Sequence, residues 1–157
     1  MNTPRIAVFP GSFDPVTKGH ENIVRRALPL FDKIIVAIGV NTSKQGLFPI
    51  EKREVWLRAV FADEPRVDIV SYSGLTADFC AKSGAKFMLR GVRNGGDFEY
   101  ERTIAQMTSA MAPELETIIL FTDPEFAAIN STVVREIIRN KGKVSAFVPE
   151  GIDVYAP

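Results

Sequence analysis

The sequence predicts a doubly wound α/β fold, in which a five-stranded parallel sheet carries helices on both faces. Short apolar runs, each about as long as one strand, alternate along the chain with segments whose apolar residues recur at helical spacing. The strand-sized runs are apolar at successive positions, which is typical of strands that are covered on both sides. Right-handed crossovers between parallel strands then place the intervening helices over the two faces of the sheet.

The first elements can be assigned in order along the chain. Residues 5–9 form the first strand, and the Pro-Gly pair that follows them indicates a turn. A helix is predicted from His20 onward, because these apolar residues recur at helical spacing: Ile23, Val24, Ala27, Leu28 and Phe31. Pro29 should bend this helix or end it one turn early. Residues 33–40 form the second strand.

The same alternation continues through the rest of the chain. Strands are predicted over residues 67–71, 86–90 and 117–121, and helices over residues 50–62, 75–83, 97–112 and about 131–140. Gly84 stands where a glycine commonly follows a helix end. An apolar stripe on the fourth helix is expected either in the core or at a contact between subunits, and it consists of Tyr100, Ile104, Met107 and Met111.

The composition indicates one globular domain, taken as residues 1–157, with 46% apolar residues. The 19 basic and 19 acidic side chains balance, so no overall positive field points to nucleic acid or a membrane surface as a partner. No apolar run approaches the roughly 20 residues that a membrane span requires. The single cysteine, Cys80, has no partner for an internal disulfide and is expected to be a small buried hydrophobe. With no charged-then-apolar leader ahead of the first strand, the sequence predicts a cytoplasmic protein.

Three segments that follow predicted strands are candidates for a ligand site. They are residues 11–14 ("GSFD"), 90–101 ("RGVRNGGDFEYE") and 126–136 ("FAAINSTVVRE"), and each is richer in glycine, hydroxyl or arginine groups than a short connection needs. In a doubly wound fold ligands bind beyond the carboxyl ends of the strands, near the point where the strand order reverses. Gly11 allows backbone amides to approach a phosphate, and Arg90 and Arg93 supply forked cationic donors.

Further groups at this edge suit a ligand that is rich in phosphate. The helix starts near His20 and Ser131 offer unpaired N–H groups, and Lys44 adds a flexible positive charge. Residue types alone leave alternatives open. His20 is a ligand group, or else a helix cap or a ring at the surface. Ser131 and Thr132 are either helix caps or contacts to an anion. Lys44, Arg90 and Arg93 are either solvated charges or part of the site. The chain contains neither G-x-x-x-x-G-K-[ST] nor G-x-G-x-x-G, which argues against an ordinary ATPase or a nicotinamide dehydrogenase.

Three motifs, in the same order along the chain, resemble those of one family. The stretch "PGSFDPVTKGH" resembles PGTFDPxTxGH, "RGVRNGGDFEYE" resembles RGxRxxxDFEYE, and "INSTVVRE" resembles ISSSxVRE. These are the signatures of the bacterial phosphopantetheine adenylyltransferase family in the T/HxGH nucleotidyltransferase superfamily, and the match runs nearly end to end. The resemblance implies a Rossmann-like nucleotidyltransferase fold. It also implies transfer of an adenylyl group from ATP to 4′-phosphopantetheine, which gives dephospho-coenzyme A and pyrophosphate in the penultimate step of coenzyme A biosynthesis.

The resemblance implies roles for individual residues. His20 is the expected catalytic residue, which holds the α-phosphate and stabilises the transition state. The acceptor contacts would be Ser12, Lys44, Leu75, Thr76 and Arg90. The ATP contacts would be Ser12, Phe13, His20, Gly91, Val92, Arg93, Glu101, Phe126, Ala127, Ala128, Ile129, Asn130, Ser131 and Thr132. Compared with the family pattern, Ser12 replaces Thr, Phe126 replaces Trp or Tyr, and Asn130 replaces Ser.

The implied reaction explains why the sequence shows no Ser-His-Asp set and no pair of catalytic carboxylates. The nucleophile is a phosphate oxygen that is already anionic at pH 7, so no general base is required. During an in-line displacement at the α-phosphate, positioning of the substrates and neutralisation of charge can supply most of the reduction in the activation barrier.

The resemblance further implies partners and a cofactor: a homohexamer, Mg²⁺ used together with ATP, and inhibition by coenzyme A. No cluster of carboxylates marks a dedicated metal site, so Mg²⁺ is expected to arrive on the triphosphate. Two rival functions stay open. One is a related nucleotidyltransferase whose acceptor is nicotinamide mononucleotide or glycerol phosphate, against which Thr17 argues because those relatives generally carry His there. The other is a non-catalytic flavodoxin-like binding module.

Overall fold

Five parallel strands form a single sheet in the computed structural model, which describes residues 2–157. The strands are β1 (Ile6–Gly11), β2 (Lys33–Gly39), β3 (Val67–Tyr72), β4 (Phe87–Val92) and β5 (Glu116–Phe121). Their order across the sheet is β3-β2-β1-β4-β5. The predicted fold class is therefore confirmed, and the strand order reverses between β1 and β4.

Five helices connect and follow the strands. They are α1 (Lys18–Ala27), α2 (Ile50–Val60), α3 (Thr76–Lys82), α4 (Gly95–Met111) and α5 (Ser131–Arg139). Pro29 ends α1 early, as predicted, since a proline inside a helix removes a backbone hydrogen bond. After Ala27 the chain continues as a 3₁₀ turn over Leu28–Leu30. Gly84 follows the end of α3 with a φ of +70°, a conformation in which glycine avoids the penalty of a side chain.

The sheet buries apolar side chains on both of its faces. Ala7 and Phe9 of β1 belong to one core cluster, with residues of α1, α2 and α5, whereas Val8 between them belongs to a second cluster. The second cluster includes Cys80 of α3, which is 1% exposed, as predicted for a small buried hydrophobe. Burial raises the pKa of this thiol to about 11. Successive residues of a strand point to opposite faces, so the alternation accounts for the continuously apolar strand sequences.

A gap between β1 and β4 opens toward the carboxyl ends of the strands. β1 pairs with β2 from Ile6 to Gly11, but its register with β4 covers only Ala7 and Val8. The turn predicted at Pro10 is wrong, since the strand continues through Pro10 to Gly11. Proline has no N–H to donate, and here it lies beyond the residues that pair with β4. The strands thus separate at the point where the strand order reverses, which is where a ligand site is expected.

None of the helices among residues 2–157 combines the length and the apolar character that crossing a membrane requires.

Candidate active site

Three neighbouring cavities open at this edge of the sheet, and Ser12 lines all of them. The central cavity has a volume of about 430 Å³ and lies between the start of α1, the end of β4 and the start of α5. The loop cavity, about 680 Å³, lies beside the segment that connects β2 to α2. The α4 cavity, about 340 Å³, lies between α3 and α4. Ser12, directly after β1, is the residue at which the three cavities meet.

The residues that were predicted to contact the acceptor are divided between two neighbouring cavities, and most of those predicted to contact ATP share the central one. Lys44 lines the loop cavity, whereas Leu75, Thr76 and Arg90 line the α4 cavity. The central cavity is lined by nine of the predicted residues: Ser12, His20, Arg90, Gly91, Arg93, Ile129, Asn130, Ser131 and Thr132. The fold thus brings together groups from widely separated parts of the sequence, and Ser12 and Arg90 lie on the boundary between the two sets.

Other predicted residues lie outside these three cavities. The side chains of Phe13 and Val92 are buried in the protein, 2% and 1% exposed. Glu101 is buried as well, and its carboxylate binds Arg90. Phe126 lines a separate cavity beside α1, and Ala127 and Ala128 follow it in the same connection to α5.

A reciprocal cap at the start of α1 fixes the imidazole of His20. The backbone N–H of Thr17 donates to Nδ1 of His20 at 3.0 Å, and the Oγ1 of Thr17 accepts from the backbone N–H of His20 at 3.4 Å. The helix begins at Lys18, so the predicted start at His20 is wrong by two residues, because Thr17 is the residue that caps it. Since Nδ1 accepts a hydrogen bond from the backbone N–H of Thr17, the neutral ring carries its proton on Nε2.

The surroundings of His20 keep its ring neutral. Burial, followed by the positive charges of Arg90 and Arg93, lowers the pKa of His20 to about 4. The ring of Phe13 packs edge-on against the imidazole, with 4.9 Å between the ring centroids. At neutral pH the group that His20 can offer to the central cavity is therefore an uncharged Nε2–H donor, which suits an anionic oxygen.

Arg90 and Arg93 are held in fixed orientations by acidic partners, so the alternative that they are solvated surface charges is wrong. Arg90 donates from Nε and Nη2 to the carboxylate of Glu101 at 2.8 and 2.6 Å, and from Nη1 to the carbonyl of Pro10 at 2.8 Å. Arg93 donates from Nε to Asp97 at 3.0 Å. Bidentate pairing fixes the plane of a guanidinium, which leaves its positive charge in a defined place beside the cavity.

Asn130 caps α5, so its side chain has the role that was considered for Ser131 and Thr132. Its Oδ1 accepts from the backbone N–H of Thr132 at 2.8 Å and from that of Val133 at 3.4 Å. The cap interpretation of Ser131 and Thr132 is therefore wrong, and both residues line the central cavity. Asparagine is as good an N-cap as serine, so the departure from the family pattern at this position preserves the helix start.

Sequence reasoning assigned no individual role to three residues of the loop cavity, namely Asp14, Arg53 and Arg135, although Asp14 and Arg135 lie within its candidate segments. Arg135 donates from Nη1 to the backbone carbonyl of Asp14 at 3.1 Å. It lies within the "INSTVVRE" motif, which was a sufficient signal for it. For Arg53 the signal was subtler: helical spacing puts it on the same stripe as Trp56 and Leu57, where an arginine must find buried partners.

Within residues 2–157, no three His, Cys, Asp or Glu side chains lie close enough together to hold a metal ion. The carboxylates of Asp97 and Glu101 are paired with Arg93 and Arg90, which line the central cavity.

Comparisons with known proteins agree with this architecture. Residues 8–137 match the model of the cytidylyltransferase-like family. The chain is 50% identical to the phosphopantetheine adenylyltransferase of Flavobacterium psychrophilum over 96% of its own length and 99% of that protein. It is 47% identical to the protein of that name from Bacteroides thetaiotaomicron, again over 96% and 99% of the two chains. Such identity over nearly the whole length, together with the match to the family model, shows that the chain belongs to the phosphopantetheine adenylyltransferases, within the cytidylyltransferase-like family.

Proposed function

We propose that this chain transfers an adenylyl group from ATP to the phosphate of 4′-phosphopantetheine, which gives dephospho-coenzyme A and pyrophosphate. The observation that carries the proposal is the meeting of the three cavities at Ser12, because the residues expected for the two substrates line adjoining spaces. The names of the relatives support the same reaction. The protein would thereby act at the penultimate step of coenzyme A biosynthesis, in the cytoplasm.

The reaction is a displacement at the α-phosphorus of ATP. An oxygen of the acceptor phosphate forms a bond to this phosphorus while the bond to the bridging oxygen of the β-phosphate breaks, and pyrophosphate leaves with the electron pair. The attacking oxygen carries a negative charge already, so no protein group has to remove a proton. His20 donates from Nε2 to an α-phosphate oxygen. Arg93, Ser131 and Thr132 bind the triphosphate at the start of α5, where the helix dipole also favours an anion.

The acceptor occupies the loop and α4 cavities. Lys44 binds its phosphate from one side and Arg90 from the other, with the guanidinium held by Glu101 and Pro10. The pantetheine arm extends past Leu75 and Thr76 into the α4 cavity, whose other lining groups include Met88, Ile104 and Met111. Apolar side chains suit this arm, because most of it is uncharged.

Three further parts of the proposal concern ligands and assembly. Mg²⁺ enters as the complex with ATP, since the carboxylates beside the central cavity are committed to arginines. Coenzyme A inhibits the enzyme, because it contains both the adenosine and the pantetheine groups and so fits the cavities of both substrates. The chain forms one domain that assembles as a homohexamer, for which the exposed apolar side chains of α4 provide a surface.

The test is release of pyrophosphate by the purified protein with Mg²⁺ and ATP. We expect release with 4′-phosphopantetheine, and only background release with nicotinamide mononucleotide, with glycerol phosphate or with no acceptor. Faster release with either of the other acceptors would identify a different transferase. No release with any acceptor would favour a binding module instead.

A further inference from the structure

We propose that Arg53, paired with Asp14, is a positioning residue that holds Ser12 and Lys44 in one fixed arrangement around the acceptor phosphate. This inference rests on the proposed function, because it assigns a purpose to groups that surround the acceptor site. The segment that carries Lys44, residues 40–49 between β2 and α2, is called the Lys44 loop below. Arg53 and Asp14 both line the loop cavity beside it.

The two side chains form a buried ion pair. Each side chain is 7% exposed, and Nε of Arg53 lies 3.4 Å from Oδ1 of Asp14. The pair is not isolated, since the Nε of Arg53 also donates to the carbonyl of Phe48 at 2.8 Å. Every buried nitrogen and oxygen of the described side chains has a hydrogen-bond partner, including these. The desolvation of both charges is thus offset in part by hydrogen bonds from Nε and Nη1 of Arg53 and to both carboxylate oxygens of Asp14.

These hydrogen bonds connect the two segments that carry the acceptor groups. Arg53 donates from Nη1 to the backbone carbonyl of Ser12 at 3.1 Å. The carboxylate of Asp14 accepts from the backbone N–H groups of Leu47 and Phe48 at 2.8 and 2.9 Å. One ion pair therefore fixes the backbone of Ser12 on one side and the end of the Lys44 loop on the other.

Gly46 shows how closely the loop packs over the guanidinium. A Cβ built on this residue would lie 1.7 Å from Nη2 of Arg53, so any side chain at this position forces one of the two to move. The glycine is required here for a close approach and not for its backbone angles. It provides a way to disturb the guanidinium without changing any charge.

An apolar side chain at position 53 would serve packing alone at least as well. Arg53 continues the buried stripe of Trp56, Leu57 and Val60 on α2, and replacing a buried ion pair by hydrophobic residues is often neutral or stabilising. What an apolar residue cannot supply is a rigid fork that donates to two separate backbone segments. The arrangement therefore serves geometry more than stability, and a displacement of about 1 Å in a reacting complex can cost about 100-fold in rate.

The experiment compares Arg53→Gln, Arg53→Lys and Gly46→Ala with the wild-type chain. Arg58→Gln is the matched control, since Arg58 is on the same helix and donates to the carbonyl of Ile69, away from the cavities. Steady-state pyrophosphate release gives kcat and both KM values. We expect kcat/KM for 4′-phosphopantetheine to fall about 10- to 100-fold in the three variants, with a much smaller change in KM for ATP. Arg58→Gln should match the wild type.

A second measurement separates positioning from general stability. In a Lys44→Ala background, Arg53→Gln should reduce kcat/KM for the acceptor by a smaller factor than it does in the wild type, because one of the two groups that Arg53 positions is already absent. Thermal unfolding is recorded for every variant. If Arg53→Gln does not fold, Arg53→Lys and Gly46→Ala carry the same test. The positioning role is overturned if kcat/KM falls equally for both substrates in step with the drop in Tm. It is also overturned if Arg53→Gln and Lys44→Ala have fully independent effects on kcat/KM. Either result leaves the proposed function intact. A wild-type chain that releases no pyrophosphate would refute both.

Discussion

His20 illustrates how one residue can combine two roles that the sequence presented as alternatives. Its Nδ1 completes the cap of α1 with Thr17, so the interpretation of His20 as part of a helix cap was correct for that nitrogen. The cap leaves Nε2 for the central cavity, and the proposed catalytic role needs only that atom. Motif spacing identified the residue, but only the three-dimensional contacts show that the cap determines which nitrogen carries the proton.

The protonation of His20 can be measured directly, because it is the only histidine of the chain. We expect the imidazole signals of untagged protein to titrate with a midpoint near pH 4, because burial and two neighbouring arginines disfavour the cation. Nitrogen shifts at pH 7 should show the proton on Nε2. The unfolded chain takes up the proton near pH 6.5, so the free energy of unfolding should fall as the pH drops from about 6.5 to 4. A midpoint near 6.5 in the folded protein would contradict this environment.

Removal of the Nε2 donor tests the proposed catalysis. His20→Ala should lower kcat about 100- to 1000-fold, the scale of losing one donor to a transition-state oxygen. His20→Asn is the matched variant, since its Oδ1 can take the place of Nδ1 in the cap while Nε2 is lost. We expect a similar loss of kcat in His20→Asn with a smaller loss of thermal stability than in His20→Ala. A folded variant with an unchanged kcat would argue against the role.

At the scale of elements, β4 and α1 approach each other unusually closely at Gly91. A Cβ on Gly91 would lie 2.8 Å from Cγ1 of Ile23, which is buried on α1. Gly91→Ala should therefore destabilise the protein by about 1–3 kcal/mol through overpacking, measured by urea denaturation. The effect should be smaller in an Ile23→Ala background, where the obstructing side chain is gone.

The control for this prediction is Gly95→Ala at the start of α4. A Cβ on Gly95 would meet no atom within 4 Å, so this change should leave the free energy of unfolding unchanged or raise it by up to about 1 kcal/mol. If Gly91→Ala and Gly95→Ala changed the free energy of unfolding by the same amount, close packing of β4 against α1 would not explain the destabilisation by Gly91→Ala.

The order and type of the elements could be predicted from apolar periodicity, because burial on two faces leaves a direct imprint on the sequence. The ends of the elements depend on other interactions. The start of α1 depends on the reciprocal cap between Thr17 and His20, and the end of β1 depends on how far β4 stays paired with it. Asn130 was read as a departure from a motif, although its side chain caps α5. Periodicity carries no information on such side-chain contacts.

At the scale of the whole molecule, most of the cavity residues found from sequence lie in short motifs, whereas Lys44, Leu75 and Thr76 were found through the resemblance along the rest of the chain. Asp14 stands inside one of these motifs, yet its function depends on Arg53, which the periodicity of α2 assigns to the core. A balanced net charge also hides the local accumulation of Lys44, Arg135 and Arg139 around the loop cavity. Both features arise from packing between distant segments, so a single sequence does not reveal them.

The apolar stripe of α4 provides the prediction that concerns assembly. Tyr100, Met107 and Met111 are 67%, 65% and 61% exposed in the single chain, so the core interpretation of these side chains is wrong, and a contact between subunits stays a prediction. Burial of such side chains between copies would release bound water and favour association. We expect sedimentation equilibrium to give six times the mass of one chain.

A charge introduced into this surface should break the assembly. Met107→Glu would place a carboxylate in an apolar contact, where its desolvation is costly, and should shift the protein to smaller species. Val55→Glu is the matched control, since Val55 is similarly exposed, at 64%, but lies on α2. It should leave the mass unchanged, and circular dichroism should show that both variants are folded. A monomeric wild type, or a Met107→Glu variant that keeps the full mass, would exclude α4 as the contact, because a buried charge without a partner weakens any interface that contains it.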